Sequence, residues 1–394
     1  MFDSPIRCKT QELINTVTKR SKVLVLFGTR PEVIKLAPVI RELQSRSIQS
    51  VVVSSSQHKQ LLKPFLESLQ IDIDLDLAVM RKNQSPNDIC TRVIKKLDKI
   101  LDHEQPDLVL VQGDTTTALA GAMAAFNRCI PVGHVEAGLR SGNLLSPFPE
   151  EMNRRLVSQI ASFHFAATDD NRQNLIAEGV DDKKIFVTGN PVVDSLQYML
   201  KNLNVAPAIS RLVLRTKGKK RILLTTHRRE SFGSSLIANL KIIRSFIDKN
   251  DDVCLFFPVH PNPNVKNAAK EILGGHDRIH LLAPLDYSSF LALMRSAWLI
   301  VSDSGGVQEE SPSLGKPLLI LRENTERPEA VNTGVAKLVG REGALQKILK
   351  ENYEDETWIK SVKKIRNPFG DGTSARNIVK VIEEKLSIRV DTLV

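Results

Sequence analysis

Carboxylates, cations and glycine turns recur in this chain where strand-like apolar runs end. The stretch Ser302-Asp303-Ser304-Gly305-Gly306-Val307-Gln308-Glu309-Glu310 follows the apolar run Trp298-Leu299-Ile300-Val301. Gly305 and Gly306 would let backbone approach a ligand without a Cβ in the way. Ser304, Gly305 and Gly306 would then present a helix start, whose free amides suit a phosphate. Glu309 and Glu310 lie about one turn in, where a carboxylate could accept from ribose hydroxyls. A tight turn with a glycine pair for packing is the alternative, and the stretch alone does not choose. Near the amino end, Gly28-Thr29-Arg30-Pro31-Glu32 with Lys35 sets two cations beside another helix start. Phosphate or substrate contact fits that position better than a surface ion pair.

The remaining clusters carry acid–base groups. Asp114 follows Gly113 and precedes Thr115-Thr116-Thr117, so on local grounds it reads first as a helix N-cap. His134 reads as a satisfied core group inside its strand. Glu136 is the better site candidate, because packing does not explain a carboxylate at a strand end just before Gly138. Glu150 and Glu151 begin a helix, where the dipole alone would favour them. His227-Arg228-Arg229-Glu230 concentrates charge and an imidazole beyond an apolar strand and reads as cleft-lining. Arg327, in Arg327-Pro328-Glu329, lies in a loop after Leu321 and says little alone.

Elements that could position these groups alternate regularly. Short apolar runs at Val23–Phe27, Val51–Val53, Leu108–Val111, Pro131–Val135, Phe163–Ala167 and Ile185–Thr188 have the character of buried parallel strands. Between Tyr198 and Lys220 the composition turns basic and periodicity is lost, which suggests a boundary. The pattern restarts at Arg221–Thr225, Val253–Phe257, Ile279–Leu282, Trp298–Val301 and Leu318–Leu321. Two successive arrays predict an α/β protein of two doubly wound, Rossmann-like domains facing a cleft. The expected division is an extension over 1–20, a first domain over 21–200, a second, nucleotide-binding domain over 201–370, and a closing helix in 371–394 that could return to the first domain. Nearly every polar cluster falls at a strand's carboxyl end, where open parallel sheets bind ligands.

Composition narrows the function. The chain has 394 residues, 42% hydrophobic and 25% charged, as soluble globular proteins do. A net charge of +10 fits an anionic substrate. Scattered basic residues and 5% aromatics argue against nucleic acid. Four cysteines without a CxxC pair suggest a reducing compartment, and no apolar run is long enough to span a membrane. No secretory h-region opens the chain. Gly370-Asp371-Gly372-Thr373-Ser374-Ala375 fits a dinucleotide pattern but lacks a preceding strand, so it reads as a chance match. Neither a metal nor a cofactor is expected from the histidine spacing and the missing fingerprint.

The ordered set Phe27–Glu32, Gly113–Thr117, Gly133–Arg140, Pro149–Glu151, His227–Glu230, Asp303–Gly306 and Glu326–Glu329 resembles the non-hydrolysing UDP-N-acetylglucosamine 2-epimerases. The resemblance runs from about Lys22 almost to the end. It implies a glycosyltransferase-B type fold, interconversion of UDP-GlcNAc and UDP-ManNAc without a cofactor, and a cytoplasmic homodimer. By it, Ser304, Gly305, Gly306 and Arg30 would hold the diphosphate, Glu310 the ribose, and Phe290 the uracil. Asp114, Glu136, Glu150 and His227 would surround the sugar, with Arg327 and Lys35 lining the cleft. Gln57, Gln60, Gln84 and His260 match a regulatory UDP-GlcNAc subsite. Gln112, Thr226 and Pro191 depart from the residues usual in the family, and none is expected to touch the carboxylates.

The implied chemistry suits these residue types. The sugar C2 proton is not next to a carbonyl. Expulsion of UDP would build positive charge at C1, acidify C2–H and let a carboxylate remove it, giving 2-acetamidoglucal. Return of the proton to the other face would complete epimerisation. The alternatives are a relative acting on a modified UDP-sugar, a UDP-sugar-dependent glycosyltransferase, and a silent nucleotide-sugar sensor.

Overall fold

The computed structural model describes residues 20–46, 48–56, 65–81, 83–226, 233–340 and 344–391. Seven strands form the first sheet: β1 (Lys22–Phe27), β2 (Gln49–Ser54), β3 (Leu75–Asp76), β4 (Leu108–Gln112), β5 (Val132–Ala137), β6 (Phe163–Ala166) and β7 (Ile185–Val187). Their order is β3-β2-β1-β4-β5-β6-β7. Six more form the second: β8 (Lys220–Thr225), β9 (Val253–Pro258), β10 (Ile279–Leu282), β11 (Leu299–Ser302), β12 (Leu318–Ile320) and β13 (Ala336–Leu338), ordered β10-β9-β8-β11-β12-β13. Every pairing is parallel. The apolar run of β1 is buried without interruption, as a strand covered on both faces requires.

The strand order reverses between β1 and β4 and again between β8 and β11. At such points the following loops diverge and leave a crevice. Gly28-Thr29 and Gly113-Asp114 leave the first reversal, and Asp303-Ser304 leaves the second. This is the doubly wound, two-sheet glycosyltransferase-B type architecture anticipated above.

Two local features differ from the expectation. The edge strands β3 and β13 have two and three residues, too short to show a period. The supposedly aperiodic stretch after Tyr198 contains a helix, Pro207–Arg215. Its apolar stripe, Ile209 and Leu212, is buried, while Arg211 between them and Arg215 at the end face outward and mask the pattern. Gly370–Ala375 forms a crossover between the lobes. It leads into the helix Ser374–Asp391, whose Ala375, Ile378, Val379, Ile382 and Leu386 join the core around helices Arg30–Gln44 and Pro191–Lys201. Asp194 accepts from the amides of Ser374 (3.3 Å) and Ala375 (3.0 Å) and so caps that helix from the first lobe.

Candidate active site

Glu136 lies at the carboxyl end of β5, where the register with β6 shifts between Val135 and Ala137. Its φ is +64°, an uncommon value for a side-chain-bearing residue. The bulge re-aims the carboxylate instead of ending the strand quietly. Gly113, with φ +67°, lets the β4 turn pass close by; a Cβ there would stand 3.5 Å from Glu136 Oε2.

Two cations and a second carboxylate surround this group. Lys35 Nζ, from the helix Arg30–Gln44, donates to Glu136 Oε1 and lies 3.1 Å from Glu309 Oε2 of the second lobe. Arg327 Nε donates to Glu309 at 2.6 Å, and its Nη2 lies 3.7 Å from Glu136. Arg327 also donates to Glu326 at 2.7 Å, and Arg322 holds the other oxygen of Glu326 at 2.6 Å. Gln112 and Asn190 complete the shell of Glu136, Asn190 at 3.0 Å. Charged partners therefore cross between the lobes in both directions.

Electrostatics separate the two carboxylates. Burial alone would raise Glu136, but Lys35 and Arg327 outweigh it and hold its carboxyl well below the usual range. Burial raises Glu309, with Glu136 adding to the effect against Arg327 and Lys35. Burial also pushes Glu310 up to about 7; it accepts from the Tyr287 hydroxyl at 2.8 Å. Lys35 stays above its usual value because Glu136 and Glu309 overcome the desolvation of its ammonium.

The glycine turn serves this cluster directly. A Cβ on Gly305 would stand 2.6 Å from Arg327 Nη1 and 2.8 Å from Cζ, so the guanidinium occupies the space the missing side chain leaves. Gly306 faces open space, with Ser304 Oγ the nearest atom at 3.9 Å. Arg30 opens its helix with its guanidinium 4.9 Å over the Phe65 ring. Phe290 is half-buried on the helix Tyr287–Ser296.

Asp114 occupies a separate, more open wall. A cavity of about 290 Å³ is lined by Thr29, Gln84, Asp114, Thr115, Glu150 and Asn153, among others. Asp114 is not the N-cap; Thr115 is, its hydroxyl accepting from Ala118 N at 3.0 Å. Arg154 instead grips Asp114 Oδ2, with Nε at 3.1 Å, while its Nη1 holds the fully buried Glu151 at 3.0 Å. Glu32 ties this wall to the first loop: it accepts from Gly28 N (3.0 Å), Thr29 N (2.7 Å) and the Thr115 hydroxyl (2.8 Å). His134 is buried, bonded to Gly113 O at 2.8 Å, and held down at about 4 by burial. It belongs to the core, as its place within the strand suggested.

Comparison with known proteins agrees with this construction. Residues 41–383 match the family model described as UDP-N-acetylglucosamine 2-epimerase. A UDP-N-acetylglucosamine 2-epimerase of Yersinia pestis is 43% identical, with 92% of this chain and 98% of that protein covered. One of Bacillus subtilis is 44% identical, over 92% of this chain and 95% of that protein. The chain belongs to the UDP-N-acetylglucosamine 2-epimerase family. The crystal structure of the Neisseria meningitidis UDP-GlcNAc 2-epimerase bound to UDP-GlcNAc has a TM-score of 0.87 and 42% identity, covering 92% of this chain and all (100%) of that one.

In this epimerase-family chain the expected site residues fall into two groups. Lys35, Glu136 and Arg327 meet directly beside Gly305, while Asp114, Glu150 and Gln84 share the cavity wall. His260 lies beyond β9, with Nδ1 accepting from Asn262 N at 3.2 Å. His227, Gln57 and Gln60 lie outside the described residues, as does the extension up to Lys19. One expectation is corrected: Gln112, a departure from the family pattern, does touch a carboxylate, because its amide donates to Glu136 Oε2. Inward-facing at the end of β4, it reaches across to the neighbouring strand. Sequence reading passed over Arg154 and Asn190 as site supports. Spacing could have flagged Arg154, one turn from Glu150 and Glu151. No comparable local signal marks Asn190.

Proposed function

We propose that this chain interconverts UDP-GlcNAc and UDP-ManNAc by expelling UDP to leave 2-acetamidoglucal and then adding it back. Membership of the epimerase family and the UDP-GlcNAc-bound Neisseria relative support the substrate. The observation that carries the mechanistic reading is the meeting of Glu136 with Lys35 and Arg327 beside Gly305. It sets an ionised carboxylate within reach of cations suited to a departing diphosphate.

In this reading the second lobe grips the nucleotide and the first handles protons. Ser304, Gly305, Gly306 and Arg30 face the diphosphate, Glu310 the ribose and Phe290 the base. A carboxylate held far below neutrality is a weak base. A bound diphosphate competes for Lys35 and Arg327, and drawing them away strengthens Glu136 when the leaving group is in place. Asp114, fixed by Arg154, and Glu150 across the cavity supply the second proton-handling wall, with His227 assisting the leaving group. A regulatory subsite around Gln57, Gln60, Gln84 and His260, a homodimer, a cytoplasmic location, and domains over 21–200 and 201–370 complete the proposal. Among the described residues, no helix is long and apolar enough to cross a membrane.

The test is epimerisation of UDP-GlcNAc in deuterium oxide, without acceptor, followed by NMR. The route requires deuterium at C2 of the UDP-ManNAc formed. Epimerisation with full retention of the original hydrogen excludes it, and transfer only when an acceptor is added would favour a glycosyltransferase.

A further inference from the structure

We infer that Asn190 is a positioning residue for the reaction, aiming the Glu136 carboxylate at the sugar. The inference rests on the proposed role of Glu136 in proton transfer. Asn190 is 1% exposed and uses three polar groups at once. Its Oδ1 accepts from Val192 N at 3.1 Å and caps the helix Pro191–Lys201. Its Nδ2 donates to Glu136 Oε1 at 3.0 Å. Its backbone amide donates to Phe369 O at 2.7 Å.

The cap decides which way the amide faces. Reversing it would set an NH₂ against the Val192 amide and a carbonyl oxygen against a carboxylate, losing both bonds. Asparagine is thus the side chain that caps a helix and donates to a carboxylate in one orientation. Lys35 and Arg327 also reach Glu136, and Glu309 faces the same cations, but these cations sit on long stems and answer to any arriving anion. Asn190 is short, neutral and pinned at three points. It keeps Glu136 aimed when the cations turn toward a diphosphate.

The crossover from the second lobe supplies the third pin. A Cβ on Gly189 (φ +82°) would stand 2.5 Å from Ser374 Oγ and 3.3 Å from Phe369 O, so glycine is needed for the approach. Two residues before Phe369, Asn367 donates to Glu309 O at 2.9 Å. Two hydrogen bonds and the Asn367–Phe369 backbone between them therefore join the helix of Glu309 to the residue that holds Glu136.

Two substitutions separate aiming from capping. Asn190→Asp keeps the cap, since aspartate caps as well as asparagine, but sets a like charge where the donor stood. Asn190→Ser also caps, is too short to reach Glu136 and adds no charge. We expect both proteins to fold, with kcat down about 100-fold at neutral pH and KM little changed. The Asn190→Asp loss should shrink as pH falls, because a protonated carboxyl can donate where the amide did. The Asn190→Ser loss should not. A residue that merely capped its helix would leave kcat unaltered in both variants at every pH, and that result overturns the inference. Wild type and Glu136→Gln belong in the same assay. Retained turnover in Glu136→Gln would sink the proton-transfer reading itself. Its loss there, beside unaltered turnover in a folded Asn190 variant, would sink only the role of Asn190.

Discussion

Asp114 and Glu136 end neighbouring strands, yet their surroundings differ in kind. Asp114 keeps about a quarter of its side chain in solvent (26%) and relies on one cation, Arg154, from its own lobe. Glu136 is nearly sealed (4%) and meets cations from both lobes. The wall around Asp114 is complete within the first lobe. The shell of Glu136 is complete only with Arg327 and with the Glu309 that steadies Lys35, so any opening between the lobes changes Glu136 first. One carboxylate is held by local architecture, the other by closure.

The strongest way to break this contrast is to neutralise each acid in turn. Both Glu136→Gln and Asp114→Asn should lower kcat on UDP-GlcNAc by roughly 10²- to 10⁴-fold, the range for losing a positioned acid or base. Stability should separate them. Glu136→Gln leaves Lys35 and Arg327 sharing Glu309 in a buried setting, and breaking such a pair costs about 3–5 kcal/mol. Asp114→Asn should cost at most about 1 kcal/mol, because Asp114 is partly solvated and Arg154 retains Glu151. Chemical denaturation of the two variants decides; equal losses would mean that closure does not distinguish the sites.

A smaller effect tests how rigid the cluster is. Gly305→Ala would push a methyl into the guanidinium of Arg327, which Glu309 and Glu326 pin at 2.6 Å and 2.7 Å. Overpacking of this kind costs about 1–3 kcal/mol. Gly306→Ala meets nothing closer than 3.9 Å and should stay within about 0.5 kcal/mol of wild type. If both changes are neutral, Arg327 swings freely and the cluster is looser than its bonds imply.

These contrasts also mark where the sequence was legible. Continuous apolar runs such as Val23–Phe27 announce buried strands, because their burial is a local property of the run. The polar residues after the runs then mark the crevice, so Glu136 and, beside the next helix start, Lys35 were visible from position, whereas Asp114 read first as a cap and Arg327 stood out only through the family resemblance. What Gly305 accommodates was not visible, since its neighbour Arg327 lies 22 positions onward in the chain. Asn190 and Gln112 matter through contacts with Glu136 across 54 and 24 positions, which no local period encodes. Thr115, not Asp114, caps its helix: both types cap well, and only the turn at Gly113 fixes which position does so.

The finest test concerns Glu32, which ties the Gly28-Thr29 loop to Thr115 on the cavity wall. Burial raises its carboxyl from an ordinary 4.5 to about 7, although Thr29, Thr115 and Gly28 all donate to it. A raised carboxyl binds its proton more tightly in the folded chain than in the unfolded one. Its ionisation therefore costs stability: nothing below about pH 4.5, the full amount above about pH 7. Glu32→Gln removes this titration. The stability of the variant minus that of wild type should climb as pH rises through the same window. Buried His134 and His164 titrate in the opposite sense and the raised carboxyls Glu309 and Glu310 in the same sense as Glu32, but all are common to both proteins and cancel in the difference. Melting temperatures measured across the window give the slope. A flat difference would mean that water reaches Glu32 through the cavity, placing it with the open wall of Asp114; a rising one places it with the sealed shell of Glu136, and extends the closed side of the comparison to the foot of the helix that carries Lys35.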